Sequence, residues 1–206
     1  MQAWHEISRQ ISAVTDSSFE VKEVHSIGGG CINQAYCIAD GKQRYFVKLN
    51  TPGNLAMFEA EAAGLVEIHQ SRTIRVPVPV CSGENAHAAW LILEYLDINN
   101  GKCGKASDLG QQLAAMHRTT CSQFGWIRDN TIGRNPQINT TSLNWVEFWR
   151  MHRLGNQLGL AKNNGFNGKL QELGEQLLAN LEQLLPDTSP LPSLLHGDLW
   201  GGNYAY

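Results

Sequence analysis

The chain has 206 residues, 42% of them hydrophobic and 17% charged, with a formal net charge of -3. That apolar content excludes disorder and fibre, and fits one large globular domain or two small ones folded together. The mild acidity excludes a global basic field for nucleic acid or anionic lipid, so the expected ligand is small, or met in a local cleft.

Trp4, Ile7, Ile11 and Val14 fall at three- and four-residue steps before Thr15-Asp16-Ser17-Ser18, which predicts an amphipathic packing helix. Three β-prone runs follow, Val21 to Ile27, Tyr36 to Ala39 and Gln43 to Leu49, with the two-residue hairpin signal Asp40-Gly41 between the last two. Gly28-Gly29-Gly30-Cys31-Ile32-Asn33-Gln34-Ala35 joins the first two, so the expected unit is an antiparallel meander with one glycine-rich loop. After Thr51-Pro52-Gly53-Asn54, the pattern predicts a helix from about Leu55 to His69 with Phe58, Ala62, Leu65 and Val66 on one face. Val76-Pro77-Val78-Pro79-Val80 reads as an edge strand or extended connector, because each proline lacks a ladder donor, and Ala88 to Tyr95 reads as a buried strand.

Asn99-Asn100-Gly101 marks a turn, and the lobe boundary is placed near Leu96. Beyond it the pattern is mostly helical. Ser107 is expected to cap a helix carrying Leu109, Leu113 and Met116, and Asn144 a second with Trp145, Phe148 and Trp149. A third carries Leu170, Leu173, Leu177, Leu181 and Leu184, all expected as core faces. Pro186 through Pro192 ends the pattern, and Leu194-Leu195 leads into His196-Gly197-Asp198.

No apolar run approaches the ~20 residues that cross a bilayer, Ala88 to Leu93 being the best candidate. The N-terminus shows no basic segment followed by an apolar core, so a cytoplasmic location is expected. Cysteines at 31, 37, 81, 103 and 121 form an odd set without a CxxC pair, which points to reduced thiols rather than a disulfide framework or a structural metal.

Three features carry chemistry, and their order matters more than any one alone. Glycines 28 to 30 between two antiparallel strands let backbone amides approach a phosphate chain, although a glycine triplet in a hairpin is more often a plain turn. It is not a Walker A loop, because no Gly-Lys-Ser/Thr follows and a strand comes next. Period-two alternation puts Phe46 and Lys48 on one strand face and Tyr45, Val47 and Leu49 on the other. Glu61, three residues from Phe58 and four from Leu65, turns towards the packed side of the next helix and can hold the Lys48 ammonium towards phosphate oxygens. Glu59 and Glu67 compete for that role, each with a solvated acidic face as its plain alternative. Last, Asp198 followed five residues later by Asn203, after His196-Gly197, resembles the catalytic loop of kinases, where Asp accepts the substrate hydroxyl proton and Asn holds a metal ion. Gly201 and Gly202 are expected to permit the sharp backbone path between them.

Taken together, the chain resembles the fructosamine/ketosamine-3-kinase family, within the protein-kinase-like and aminoglycoside-phosphotransferase-like superfamily. The residues that carry the resemblance include Gly29-Gly30-Cys31-Ile32-Asn33, Tyr45-Phe46-Val47-Lys48, Met57-Phe58-Glu59-Ala60-Glu61, Val76-Pro77-Val78-Pro79, Phe124-Gly125-Trp126, Trp145 through Arg153 and Leu194 through Asn203. It spans nearly the whole chain. The resemblance implies an α+β, two-lobed protein-kinase-like fold: a small antiparallel β-sheet lobe over residues 1–95, which binds nucleotide, and an incomplete helical lobe over 96–206, which holds the substrate and the catalytic loop. The activity it implies is ATP- and Mg2+-dependent phosphorylation of the sugar 3-hydroxyl of ketosamines, either fructosamine or ribulosamine adducts, free or on glycated protein.

By the same resemblance Gly28, Gly29, Gly30, Cys31, Ile32 and Asn33 form the ATP loop, Lys48 and Glu61 its ion pair, and Glu94, Tyr95 and Leu96 the adenine hinge. Asp198 is the base and Asn203 a magnesium ligand, while Phe124 to Arg153 lines the sugar site. Oxidation of Cys31 is expected to block the nucleotide or join two subunits as a homodimer. The family continues past the match to Tyr206, into an Asp-Pro-Ala segment with a second metal-binding Asp and further helices. The expectation is therefore a fragment with little activity by itself. The alternatives are another small-molecule kinase, acting on an aminoglycoside or choline-like alcohol, or an inactive nucleotide-binding fragment.

Overall fold

The computed structural model describes residues 2–28, 32–98, 104–185 and 190–205. Gly29, Gly30 and Cys31, the Asn99-Asn100-Gly101 turn, and residues 186–189 of the proline-bounded break lie outside the described residues. The chain separates into two compact units, one of residues 1–116 with 196–206 and one of residues 117–195.

The first unit is built on an antiparallel sheet of β1 (Glu23–Ile27), β2 (Gln34–Ala39), β3 (Arg44–Asn50), β4 (Pro79–Glu84) and β5 (Ala89–Glu94), in the order β1-β2-β3-β5-β4. Because side chains alternate along β3, its two faces enter different cores. Val47 and Leu49 join Ile38, Trp90 and Ile92 under α1 (Gln2–Thr15), which contributes Ile7 and Ile11. Phe46 points the other way, with Leu91, Leu93 and Phe58 of α2 (Leu55–Ser71). The indole Nε1 of buried Trp90 donates to Gln10 Oε1 at 2.8 Å, so the sheet meets α1 through a satisfied polar contact as well as apolar packing.

The Asp40-Gly41 hairpin forms one residue further along than its sequence signal. Asp40 N donates to Gln43 O at 3.3 Å, which leaves Gly41 and Lys42 at the tip. Asp40 Oδ1 accepts the backbone N–H of Lys42 and of Gln43, each at 2.7 Å, and these bonds hold its carboxyl below the usual carboxylate range. Pro79 opens β4 at the sheet edge, pairing only with β5 and with a register shift before Cys81, as a strand deprived of donors must.

Four expectations need correction. Val14 is exposed although it stands two turns from buried Ile7, near the end of α1, and Val66 is exposed because one residue past Leu65 turns it about 100° round α2. Ser107 lies inside α3 (Ala106–His117) instead of capping it; Lys105 O accepts the first helical N–H groups, from Asp108 and Leu109. The leucine helix is two pieces, α6 (Lys169–Ala179) and α7 (Leu181–Leu184), separated at Asn180. Of its five leucines only Leu181 is buried, and Leu170, Leu173, Leu177 and Leu184 are exposed.

In the second unit Asn144 caps α4 (Trp145–Trp149) as expected, its side chain accepting from Glu147 N at 3.0 Å. A π-helical turn, Arg150–Leu154, then runs into α5 (Gly155–Asn163), and a two-stranded ribbon of β6 (Asn130–Ile132) and β7 (Asn135–Gln137) precedes them. No helix among the described residues is long and apolar enough to cross a membrane.

Phe58 has no exposed surface. Phe58→Ala is expected to destabilise the chain by about 3–5 kcal/mol in urea denaturation, the range for emptying an aromatic site in a core. A loss below about 1 kcal/mol would show that α2 is not anchored there. The free cysteines among the described residues are Cys37, Cys81 and Cys121. Burial pushes the Cys81 thiol up to about 11 and raises that of Cys37 as well, so neither is appreciably thiolate at pH 8. Maleimide labelling at pH 8 with peptide mapping should mark exposed Cys121 first and reach Cys37 and Cys81 only in denaturant.

Candidate active site

Lys48 lies near the end of β3 on the Phe46 face, the side on which α2 packs. Its Nζ donates to Glu61 Oε1 at 2.5 Å, and both side chains are about three-tenths exposed. Glu59 and Glu67 are exposed on the same helix, so the competition among three acids resolves in favour of the one turned to the sheet. A half-buried ammonium held by one carboxylate keeps further N–H groups for other oxygens, and burial strengthens what it offers them.

Of the glycine-rich loop, Gly28, Ile32 and Asn33 are described, and Gly29, Gly30 and Cys31 are not. Asn33 Oδ1 accepts from Asn50 Nδ2 at 2.7 Å, which ties the loop's exit to the end of β3. Asn50 was not singled out in the sequence; its only signal is its place two residues beyond Lys48, on the same strand face.

Glu94 closes β5. Its carboxylate takes Arg75 as ion-pair partner and accepts Val78 N at 3.2 Å, while its own N–H donates to Val78 O at 2.8 Å. The Arg44 guanidinium lies over the Tyr95 ring, 4.7 Å from its centroid. Leu96 follows, half-buried.

The segment from His196 groups with the sheet unit. Asn203 Nδ2 donates to Asp198 O at 2.8 Å and to Asp198 Oδ2 at 3.0 Å, so the two expected catalytic-loop residues are joined directly. Both are exposed. The chain turns sharply between them at Gly201-Gly202, as expected, with Asn203 N donating to Trp200 O at 2.8 Å, and Gly197, just before Asp198, adds a left-handed φ of 86°. Gly202 is small for a different reason: a Cβ there would meet the Trp200 ring at 2.5 Å, so the bare backbone is the seat on which the indole lies. Among the described residues no hydrogen bond joins the Lys48–Glu61 pair to the Asp198–Asn203 pair.

One carboxylate and one carboxamide, with the amide N–H already turned to Asp198, present oxygen atoms of the hard kind that suits Mg2+. Among the described residues no group of three or more His, Cys, Asp or Glu gathers there, so Asn203 Oδ1 is the oxygen left to a magnesium ion.

The second unit holds an aromatic group and a polar hub. Phe124 lies 4.9 Å from Trp145 by ring centroids, and Trp145 stacks on Phe148 at 6.1 Å. Asn139, buried, donates its side-chain amide to Arg128 O at 3.1 Å and to Asn130 Oδ1 at 2.8 Å, while its N–H reaches Asp129 Oδ1 at 2.7 Å. Its Oδ1 accepts from Arg153 Nη2 at 2.8 Å. Arg153 also donates to Ile138 O at 2.8 Å and sits over the Phe148 ring, 4.5 Å from its centroid; desolvation lowers its pKa. It stands in the π-helical turn, a local underwinding that tends to mark functional sites.

Asn139→Ala would remove three side-chain hydrogen bonds at once, although Arg153 keeps Ile138 O and Asn130 Oδ1 keeps Gln137 Nε2, and is expected to cost about 1–3 kcal/mol in thermal or urea unfolding. A loss within about 0.5 kcal/mol would show that water takes over the hub.

Comparison with known proteins gives these arrangements a family. The fructosamine kinase family model matches residues 3–206. A Synechocystis protein assigned as a ketoamine kinase is 45% identical over 203 residues, covering 98% of this chain and 68% of its own. The chloroplastic protein-ribulosamine 3-kinase of Arabidopsis thaliana is 42% identical over 190 residues, 91% of this chain and 58% of its own. The chain thus spans roughly three-fifths to two-thirds of the length of these relatives. A crystal structure from Haemophilus somnus, assigned as a fructosamine-3-kinase, superposes with a TM-score of 0.87 at 27% identity, over 100% of this chain and 69% of that one. An aminoglycoside phosphotransferase shares the fold at a TM-score of 0.51 and 13% identity, over 89% of this chain and 61% of that one. With an α+β, protein-kinase-like fold and a family match over nearly its whole length, this chain belongs to the fructosamine kinase family, a family of phosphotransferase enzymes.

Proposed function

We propose that the protein carrying this chain transfers the γ-phosphoryl group of ATP to the sugar 3-hydroxyl of a ketosamine, a fructosamine or ribulosamine adduct on a small amine or a glycated protein. The observation that carries the reading is the Lys48–Glu61 ion pair at 2.5 Å, between β3, the second strand after the glycine-rich loop, and α2. In phosphoryl transfer the protein's work is positioning and charge neutralisation. The glycine-rich sequence of residues 28–33 lets backbone amides approach the phosphates, and Lys48, steadied by Glu61, offers its remaining N–H groups to the phosphate oxygens. Residues 94–96, leaving β5, hold adenine.

Asp198 accepts the proton of the 3-hydroxyl as that oxygen bonds to the γ-phosphorus and ADP leaves. Asn203 fixes the Asp198 carboxylate and presents its Oδ1 to magnesium, which when bound supplies positive charge to the phosphates. On this reading the Phe124 to Arg153 region lines the sugar site, the lobes divide near Leu96, and phosphorylation labilises the adduct as a deglycation step. Free Cys37, Cys81 and Cys121 suit a reducing, cytoplasmic compartment.

The test is an ADP-release assay on the full-length enzyme with synthetic fructosamine and ribulosamine beside an aminoglycoside and choline. Turnover of the ketosamines is expected; turnover of the aminoglycoside or choline alone would overturn the substrate, and nucleotide binding without any turnover would make this a binding module. Lys48→Met should lower kcat/KM by about 100-fold or more while the protein stays folded by circular dichroism, because the lost charge acts on the transition state. Near-normal kcat/KM in that variant would remove Lys48 from the site.

A further inference from the structure

Asn50 ends β3 two residues after Lys48, and its side chain is engaged from both ends. Nδ2 donates to Asn33 Oδ1 at 2.7 Å, across the ladder position that follows the Gln34 and Leu49 pair. Oδ1 accepts Thr51 N at 2.7 Å and Asn54 Nδ2 at 3.4 Å. Asn54 in turn donates to Thr51 O at 2.9 Å and to Thr51 Oγ1 at 3.0 Å, and its carbonyl accepts Phe58 N, the start of α2. One carboxamide therefore touches the exit of the glycine-rich loop, the strand that carries Lys48, and the turn that launches the helix carrying Glu61.

We propose that Asn50 is a positioning residue for phosphate binding. It ties the exit of the glycine-rich loop, at Ile32 and Asn33, to the end of the strand that carries Lys48, so that the loop exit and the ammonium serve the same phosphates. Asn33 then serves as the loop's anchor, its side-chain oxygen already committed to Asn50. The inference rests on the kinase reading above. It adds that the loop exit is held from the strand end by the Asn50 amide, chiefly through Asn33 Oδ1 at 2.7 Å with a longer bond to Ile32 O at 3.5 Å, donors that a residue without an amide does not supply. Asp at position 50 would set a carboxylate against the Asn33 oxygen, whereas Ala would leave the loop exit untethered.

The test uses the full-length enzyme and measures KM for ATP, KM for a fructosamine and kcat, together with calorimetric binding of ATP, ADP and adenosine. Asn50→Ala and Asn50→Asp are expected to raise KM for ATP and the Kd of ATP and ADP by about tenfold, the loss of one well-placed hydrogen bond. KM for the fructosamine and the Kd of adenosine should stay within twofold, roughly the scatter left when an interaction is not touched. A merely structural role would shift all of these together or only lower Tm. Asn33→Ala leaves the Asn50 bonds to Thr51 and Asn54 in place, so it covers the case in which Asn50 variants do not fold, and it should reproduce the ATP effect. In a double variant the effects of Asn33→Ala and Asn50→Ala should not add. Unchanged KM for ATP in Asn33→Ala, or strict additivity, would overturn the proposal while leaving the kinase reading standing. A wild-type enzyme that fails to bind ATP would overturn both.

Discussion

The alternation of side chains along β3 is the constraint on which the first unit depends. Seven residues, Arg44–Asn50, serve two cores and a site at once. Val47 and Leu49 must face α1, which leaves Phe46, Lys48 and Asn50 on the α2 side. A slip of one residue would bury the ammonium against α1 and expose Val47, so register and chemistry are specified by the same pattern. Strands β2 and β5 hold that register from both sides, pairing Lys48 with Ala35 and with Leu91.

The catalytic-loop segment works on a different principle. It has little buried surface, and its order comes from local hydrogen bonding: Asn203 to Asp198, and Asn203 N to Trp200 O at 2.8 Å. Gly197 and Gly202 contribute in opposite ways, one by adopting a left-handed backbone and the other by leaving room for an indole. Exposed Asp198 keeps access to water and to a hydroxyl substrate, whereas Lys48 gains from partial burial. In the roles proposed above, a base and an electrostatic clamp have different needs for solvent, and the exposure of the two segments suits them separately.

Much of this was legible because period and spacing are local. The face of β3, the Asn144 cap, the proline edge strand and the choice of Glu61 all follow from residues within a turn or a strand of one another. What escaped reading was set by partners distant in sequence. Asn50 looks like any polar strand end until the ladder brings Asn33 beside it, and Asn139 becomes a hub only when Arg153 of the π-helical turn arrives. Val66 shows the coarseness of a helical stripe at its margin, where one more residue means a further rotation of roughly 100°, and Val14 shows that a residue in phase with the stripe is exposed near the helix end. The leucines of α6 and α7 are regularly spaced, yet four of five face outward, so amphipathic spacing shows which face seeks cover without saying what covers it.

The strand order has a consequence for how the chain acquires this arrangement. The β1-β2-β3 meander pairs neighbours in sequence, but β3 completes its ladder with β5, past α2 and β4. Closing so long a connection carries more loop entropy than a hairpin, so meander formation is favoured early and β5 insertion late. Until β5 docks, β3 is an open edge whose backbone groups are unpaired on that side and whose Val47 and Leu49 lack Trp90 and Ile92 beside them, a surface that invites pairing with another nascent chain. The step that seats β5 thus ends the interval of greatest aggregation risk.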